Sequence, residues 1–112
     1  MLVVIAAALA VAVGAGVPGA SAERATAART VDVSIGDDFF KPRKLSVVTG
    51  TRVHWVWGGE SEHNVTVISG PAKFHSEDQV SGEFTRKLRK PGTYRLVCTI
   101  HGFHMRIKVH KP

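Results

Sequence analysis

From Val31 onward the chain is cut into short runs of alternating apolar residues, each closed by Gly, Pro, Asp or Ser. This rhythm restricts the fold more than any other feature. Val31, Val33 and Ile35 alternate with Asp32 and Ser34, and Val53, Trp55 and Trp57 alternate with Arg52 and His54 before Gly58-Gly59. Residues 45–49 are rich in β-branched side chains and end at Gly50, and residues 64–68 end at Ser69-Gly70-Pro71. Residues 82–88 lead to the strong turn signal Pro91-Gly92. Residues 93–98 and 105–109 complete the set. Seven short strands with turn signals at this spacing predict an all-β antiparallel sandwich. Residues 72–80 have room for one helical turn.

Strand phase sorts these side chains between a core and a solvent face. Tyr94, Leu96 and Cys98 share one face and Thr93, Arg95 and Val97 the other, so Cys98 ends an inward set. Met105, Ile107 and Val109 oppose Arg106, Lys108 and His110, which puts Met105 inward and His110 outward. Arg86 breaks the pattern by sharing the face of Phe84 and Leu88, which points to a bulge or an edge strand.

The inward Cys98 is the single cysteine of the chain, in Tyr94-Arg-Leu-Val-Cys98-Thr-Ile-His101-Gly-Phe-His104-Met105. A thiolate, an imidazole and a thioether fall within eight residues, and His63 stands upstream in Glu62-His63-Asn64-Val65. A lone cysteine is commonly a small hydrophobe; the accompanying His and Met turn the reading toward a metal. Two imidazoles, one thiolate and a weak axial thioether are the ligand set of a mononuclear blue-copper electron-transfer site. Cys-x-x-His spacing lets Cys98 and His101 turn one short loop around a single ion, while His63 closes the site from a separate segment. The other histidines read as bystanders: His54 on the Arg52 face, His110 on the Lys108 face, His75 in a polar connection beside Ser76, Glu77 and Asp78. Trp55 and Trp57 read as core. Phe103, on the ligand loop, reads as part of an apolar docking patch.

Over residues 31–110 the chain resembles the cupredoxins, particularly the small plastocyanin, amicyanin and pseudoazurin group. The resemblance rests on Asp38-Phe39-Phe40…Pro42, on Val53-His54-Trp55 ahead of His63-Asn64-Val65-Thr66, and on Pro91-Gly92-Thr93-Tyr94 leading to Cys98-Thr99-Ile100-His101. It implies a Greek-key sandwich with one copper ion near one end, held by His63, Cys98, His101 and an axial Met. It also implies that Asn64 bridges to the cysteine loop. Two departures stand out. His104 occupies the position at which amicyanin-like loops carry the Met, and strand phase favours Met105 as axial ligand with His104 as the competitor. Gly102 replaces the proline often found after the second His, which predicts a less rigid loop.

Residues 1–22 carry an apolar run and the A-x-A pattern Ala20-Ser21-Ala22, the marks of a secretory signal peptide, although no charged residue precedes the run. An uncleaved membrane anchor is the alternative, disfavoured because the run is shorter than the ~20 residues a span needs. Residues 23–30 read as a flexible tail and 31–112 as the folded domain, secreted or held in the periplasm or cell envelope. Fifteen Lys and Arg against nine Asp and Glu give a net charge of +6. That excess favours an acidic redox partner and fast encounter with it. Apart from Arg86-Lys87-Leu88-Arg89-Lys90 the basic residues are scattered and no nucleic-acid motif accompanies them, so nucleic acid is not an expected partner. A monomer is expected, in contact with a membrane only if the leader is retained. No nucleophile or acid–base pair accompanies the ligands, which describes a one-electron carrier rather than an enzyme. An envelope copper-binding or delivery protein is the second reading, and a structural sandwich with an empty site the third.

Overall fold

The computed structural model describes residues 29–112. The leader expected over residues 1–22 and most of the tail, residues 23–28, lie outside the described residues. Eight strands follow in chain order: β1 (Thr30–Ile35), β2 (Phe40–Lys41), β3 (Lys44–Val48), β4 (Thr51–Trp57), β5 (Thr66–Ser69), β6 (Glu83–Leu88), β7 (Gly92–Val97) and β8 (His104–His110). They form two four-stranded sheets, in the orders β2-β1-β4-β6 and β3-β8-β7-β5. The architecture is the all-β sandwich that the alternating runs predict, with Phe40–Lys41 as an additional short strand.

Period-2 patterning translates directly into burial. In β4, Val53, Trp55 and Trp57 are buried while Arg52 and Val56 are exposed. In β8, Met105, Ile107 and Val109 are buried between exposed His104, Arg106, Lys108 and His110. Val33, Val53, Trp55, Leu96 and Ile107 lose all contact with solvent between the two sheets. Each such side chain contributes roughly 1.5–3 kcal/mol relative to an exposed one.

The pairing is mixed rather than wholly antiparallel. β1 runs parallel to β4, with Val33 opposite Trp55 and Ile35 opposite Trp57, and β3 runs parallel to β8. The reason lies at Thr49-Gly50, where the run of residues 45–49 ends. Gly50 takes φ +92°, and its N–H donates to the Leu88 carbonyl at 2.7 Å while the Thr49 N–H donates to the His110 carbonyl at 3.0 Å. The turn therefore hands the chain from one sheet to the other, and the strands it joins do not pair. Antiparallel pairing follows a tight turn only when both arms stay in one sheet.

Residues 72–80 form no helical turn. The segment lies extended beside residues 63–67, through Ser76 N–H to the Val65 carbonyl (2.8 Å), Val67 N–H to the Phe74 carbonyl (3.0 Å) and a reciprocal pair between His63 and Gln79 (2.9 and 3.0 Å). The phase exception at Arg86 has its explanation too. β6 is an edge strand in unbroken register with β4. The Arg86 guanidinium lies 5.0 Å from the Phe74 ring centroid and 5.6 Å from that of Phe84, so cation–π contact replaces a bulge.

Candidate metal centre

β7 ends at Val97 and β8 begins opposite it at His104, so residues 98–103 form one tight loop at an end of the sandwich. Two backbone hydrogen bonds close it: Cys98 N–H to the Phe103 carbonyl (2.9 Å) and Gly102 N–H to the Cys98 carbonyl (2.7 Å). Gly102 sits at φ +83°. Proline supplies neither a backbone N–H nor a positive φ, so the glycine that sequence comparison reads as loosening this loop takes part in closing it. The closure leaves the Cys98 thiol buried and unpaired with any other cysteine, while His101 is exposed.

His63 reaches the same point from the segment ahead of β5 and has no exposed surface. Its carbonyl accepts the Trp57 indole N–H at 3.0 Å as well as the Gln79 N–H. Its ring Nε2 lies 3.0 Å from the Asp37 Oδ1. A carboxylate only accepts, so Nε2 carries the hydrogen, and in the neutral ring the Nδ1 lone pair faces the Cys98–His101 loop. Asp37 is itself held by the N–H groups of Glu60 (2.9 Å) and Ser61 (3.0 Å). A side chain at Gly59 would collide with the Asp37 carboxylate, which is why the run after Trp57 needs a glycine there. The His63 hydrogen bond first, then the two backbone donors, lower the Asp37 carboxyl from an ordinary 3.8 to about 2.

Three donor atoms converge. His63 Nδ1 is 3.7 Å from Cys98 Sγ and 3.1 Å from His101 Nδ1, and Sγ is 4.0 Å from His101 Nδ1. A triangle with sides of 3.1, 3.7 and 4.0 Å has its centre about 2.1 Å from each corner, close to the lengths at which imidazole nitrogen and thiolate bind a first-row metal ion. The His63 Nδ1 lone pair has no hydrogen to share with its neighbours. Two nitrogens and a sulfur at these distances suit a cation, and the soft thiolate with two imidazoles suits copper.

The surrounding polar groups are matched closely. Asn64, almost fully buried, donates from Nδ2 to Thr99 Oγ1 (2.7 Å) and Asp78 Oδ1 (2.8 Å), and its Oδ1 accepts from Thr99 N–H (3.1 Å) and Thr66 Oγ1–H (2.9 Å). It therefore ties the His63 segment to the residue after Cys98. Phe103 is half-buried, edge-on to Phe40 (4.8 Å) and to His63 (5.4 Å) and nearly parallel to His101 at 11°. It packs against both imidazoles besides flanking the exposed His101.

The structure brings His63, Cys98 and His101 together. Met105, at the second position of β8, points inward, and its Sδ receives the Trp55 indole N–H at 3.3 Å. His104 points to solvent on the opposite face. His54, His75 and His110 lie outside the donor group. His54 hydrogen-bonds Asp32 and Glu83 on the outer sheet face, His75 is exposed in the connection, and His110 is exposed at the far end of β8. Sequence reasoning missed Asp37 and the Trp55–Met105 contact. A parallel pairing of β1 with β4 would have revealed Asp37, since Ile35 opposite Trp57 sets Asp37 beside Gly59.

A model of the cupredoxin-like domain matches residues 2–109. The copper-resistant cuproprotein CopI of Pseudomonas aeruginosa is 36% identical over 61 residues, covering 54% of this chain and 34% of that protein. Among solved structures, the copper-containing nitrite reductase of Thermus scotoductus superposes with a TM-score of 0.63 at 26% identity, over 74% of this chain and 23% of the enzyme. A pseudoazurin from Sinorhizobium meliloti gives 0.62 at 24% identity, over 75% and 76% of the two chains, a likeness of fold. The chain thus spans about a third of the curated relative and about a quarter of the enzyme.

Proposed function

The chain belongs to the cupredoxin-like family, and from that premise we propose that it is an extracytoplasmic type 1 copper protein that passes single electrons between partners. The observation that carries the reading is the convergence of His63 Nδ1, Cys98 Sγ and His101 Nδ1, with Asp37 holding the hydrogen of His63 on the far side of the ring. These three residues, with Met105 as a fourth, would hold one copper ion, which would supply the Cu(I)/Cu(II) couple. Burial of Met105 and exposure of His104 support Met105 over His104 as that fourth residue.

The chain's own residues then have distinct tasks. Asp37, Gln79 and Trp57 keep His63 in one tautomer and one position, so that little moves when the charge of the site changes. Burial of Cys98 keeps water from the thiolate. His101, with exposed Ile100 and half-buried Phe103 beside it, offers the edge at which a partner makes contact. The net charge of +6 favours an acidic partner.

Loading the full chain with Cu(II) and recording its visible spectrum tests the site. An intense thiolate-to-copper band is expected, and its absence in a folded, reduced protein would remove the reading. A second reading, copper binding or delivery in the cell envelope, is favoured by the similarity to a copper-resistant cuproprotein. Rapid electron self-exchange supports the carrier; slow exchange at a well-formed site supports copper handling.

A further inference from the structure

The outer face of the β3-β8-β7-β5 sheet carries an unusual row of charge. Lys44 of β3 is in register with Arg106 of β8, and Arg106 with Arg95 of β7. Three exposed cationic side chains therefore stand abreast on neighbouring strands, about 4.8 Å apart from strand to strand. Arg43 joins them, its carbonyl accepting the Arg106 N–H at 2.9 Å. With His104 and Met105 these four residues wall an open concavity of about 190 Å³. Like charges placed directly opposite one another weaken a sheet. No strand of this sheet contains an Asp or Glu to offset the repulsion. None of the ion pairs among the described residues involves Arg43, Lys44, Arg95 or Arg106. On the other sheet Asp32 and Glu83 flank His54, Arg86 lies over two phenyl rings, and the like-charge register is a single pair, Arg52 opposite Lys87, rather than a row of three.

We propose that this concavity is a binding site for a multivalent phosphate group. Planar guanidinium forks match phosphate oxygens two at a time, and three of them with an ammonium favour a group bearing several negative charges over a single carboxylate. A bound phosphate also supplies the missing counter-charge, so the same row that destabilises the free sheet stabilises the complex. The site goes beyond the metal reading and is tested on metal-free protein.

Titrating the metal-free full chain with pyrophosphate at low salt, followed by NMR, should give saturable one-to-one binding. Shifts should centre on Arg43, Lys44, Arg95 and Arg106. Arg106→Gln and Arg95→Gln should each weaken binding by at least about tenfold, while Lys87→Gln on the other sheet should not. Arg106→Gln should melt higher than wild type without phosphate, and pyrophosphate should raise the wild-type midpoint but not the variant's. Vesicles with and without phosphatidic acid separate the sources: capture lost in Arg106→Gln assigns the phosphate to a lipid headgroup, and binding of free pyrophosphate alone assigns it to a soluble ligand. Equal weakening by Lys87→Gln, or absence of saturation, overturns the site. A polyglutamate peptide binding as tightly at the same residues also overturns it, and makes the face a docking surface for acidic protein.

Discussion

His63 and His101 present the same ring nitrogen to the same point, yet their surroundings have little in common. His63 has no exposed surface; its N–H and carbonyl pair with Gln79, the carbonyl also takes the Trp57 indole, and its outer ring nitrogen is fastened to Asp37. His101 is exposed on a six-residue loop closed by two backbone hydrogen bonds and tied by Asn64 through Thr99. The proposed carrier role makes two demands, a fixed geometry and access for another protein, and the two segments differ along the same line. The His63 side supplies fixed position, and the Cys98–Met105 side supplies the thiolate and access.

The largest effect should come from the residue that both histidines face. Cys98→Ser removes the only thiolate, so the intense thiolate-to-copper band should vanish, while far-ultraviolet circular dichroism remains that of the sandwich because the side chain is small. A retained band would require a different ligand set.

Asp37 tests the fixed side. Asp37→Ala frees the His63 ring and should weaken copper binding by about 10–100-fold, the usual cost of losing such a partner, whereas Phe103→Ala on the accessible side should cost less. If competition titrations ranked the two the other way, the division of labour would be reversed. The metal-free protein offers a second reading. The folded carboxyl lies at about 2 and its ordinary value is 3.8, a depressed group, so its contribution is complete above the ordinary value and disappears as the pH falls through the folded one. The stability difference between wild type and Asp37→Asn should therefore shrink between about pH 4 and pH 2. A constant difference in denaturation midpoints over that range would deny Asp37 its charge-dependent hold on His63.

The two sides were also unequally legible. The loop side is local: Cys98, His101 and Met105 lie within eight residues, and period-2 phase alone places Met105 inward and His104 outward, as observed. The His63 side is assembled from distant segments. Its ring partner comes from the β1–β2 turn, its carbonyl partner from β4 and its backbone partner from residue 79, and none of these is implied by residues 62–66. The antiparallel expectation hid Asp37 in particular, because the parallel β1–β4 pair sets it beside Gly59. Strand existence followed from alternation, but sheet membership did not, since the glycine at 50 marks the end of a run without showing that the next strand lies in the other sheet.

A smaller effect separates Met105 from His104. Met105→Gln should change the spectrum and the reduction potential, because the axial contact tunes both, while His104→Ala should alter them little. The opposite ranking would bring the solvent-facing His104 into the site and mean that the start of β8 rearranges when metal binds. Trp55→Phe sharpens the test. It removes the indole N–H from the Met105 sulfur without touching a ligand, so a potential shifted by this change, with His104→Ala silent, would tie the axial role to the buried thioether.

The smallest change is expected where the accessible side meets solvent. Phe103 packs against His101 and His63 and is only half-buried, so Phe103→Ala should leave the thiolate-to-copper band largely intact yet slow electron transfer to a partner at contact. Charge acts before contact: with +6 on the chain, the bimolecular rate with an acidic partner should be high at low salt and fall as salt screens the approach. The two contributions separate at high ionic strength, where steering is lost and only the patch remains. A rate that is independent of salt would assign the positive charge another purpose. A rate at high salt that is the same in wild type and Phe103→Ala would move the contact away from His101 and leave Phe103 the single task of packing the two imidazoles.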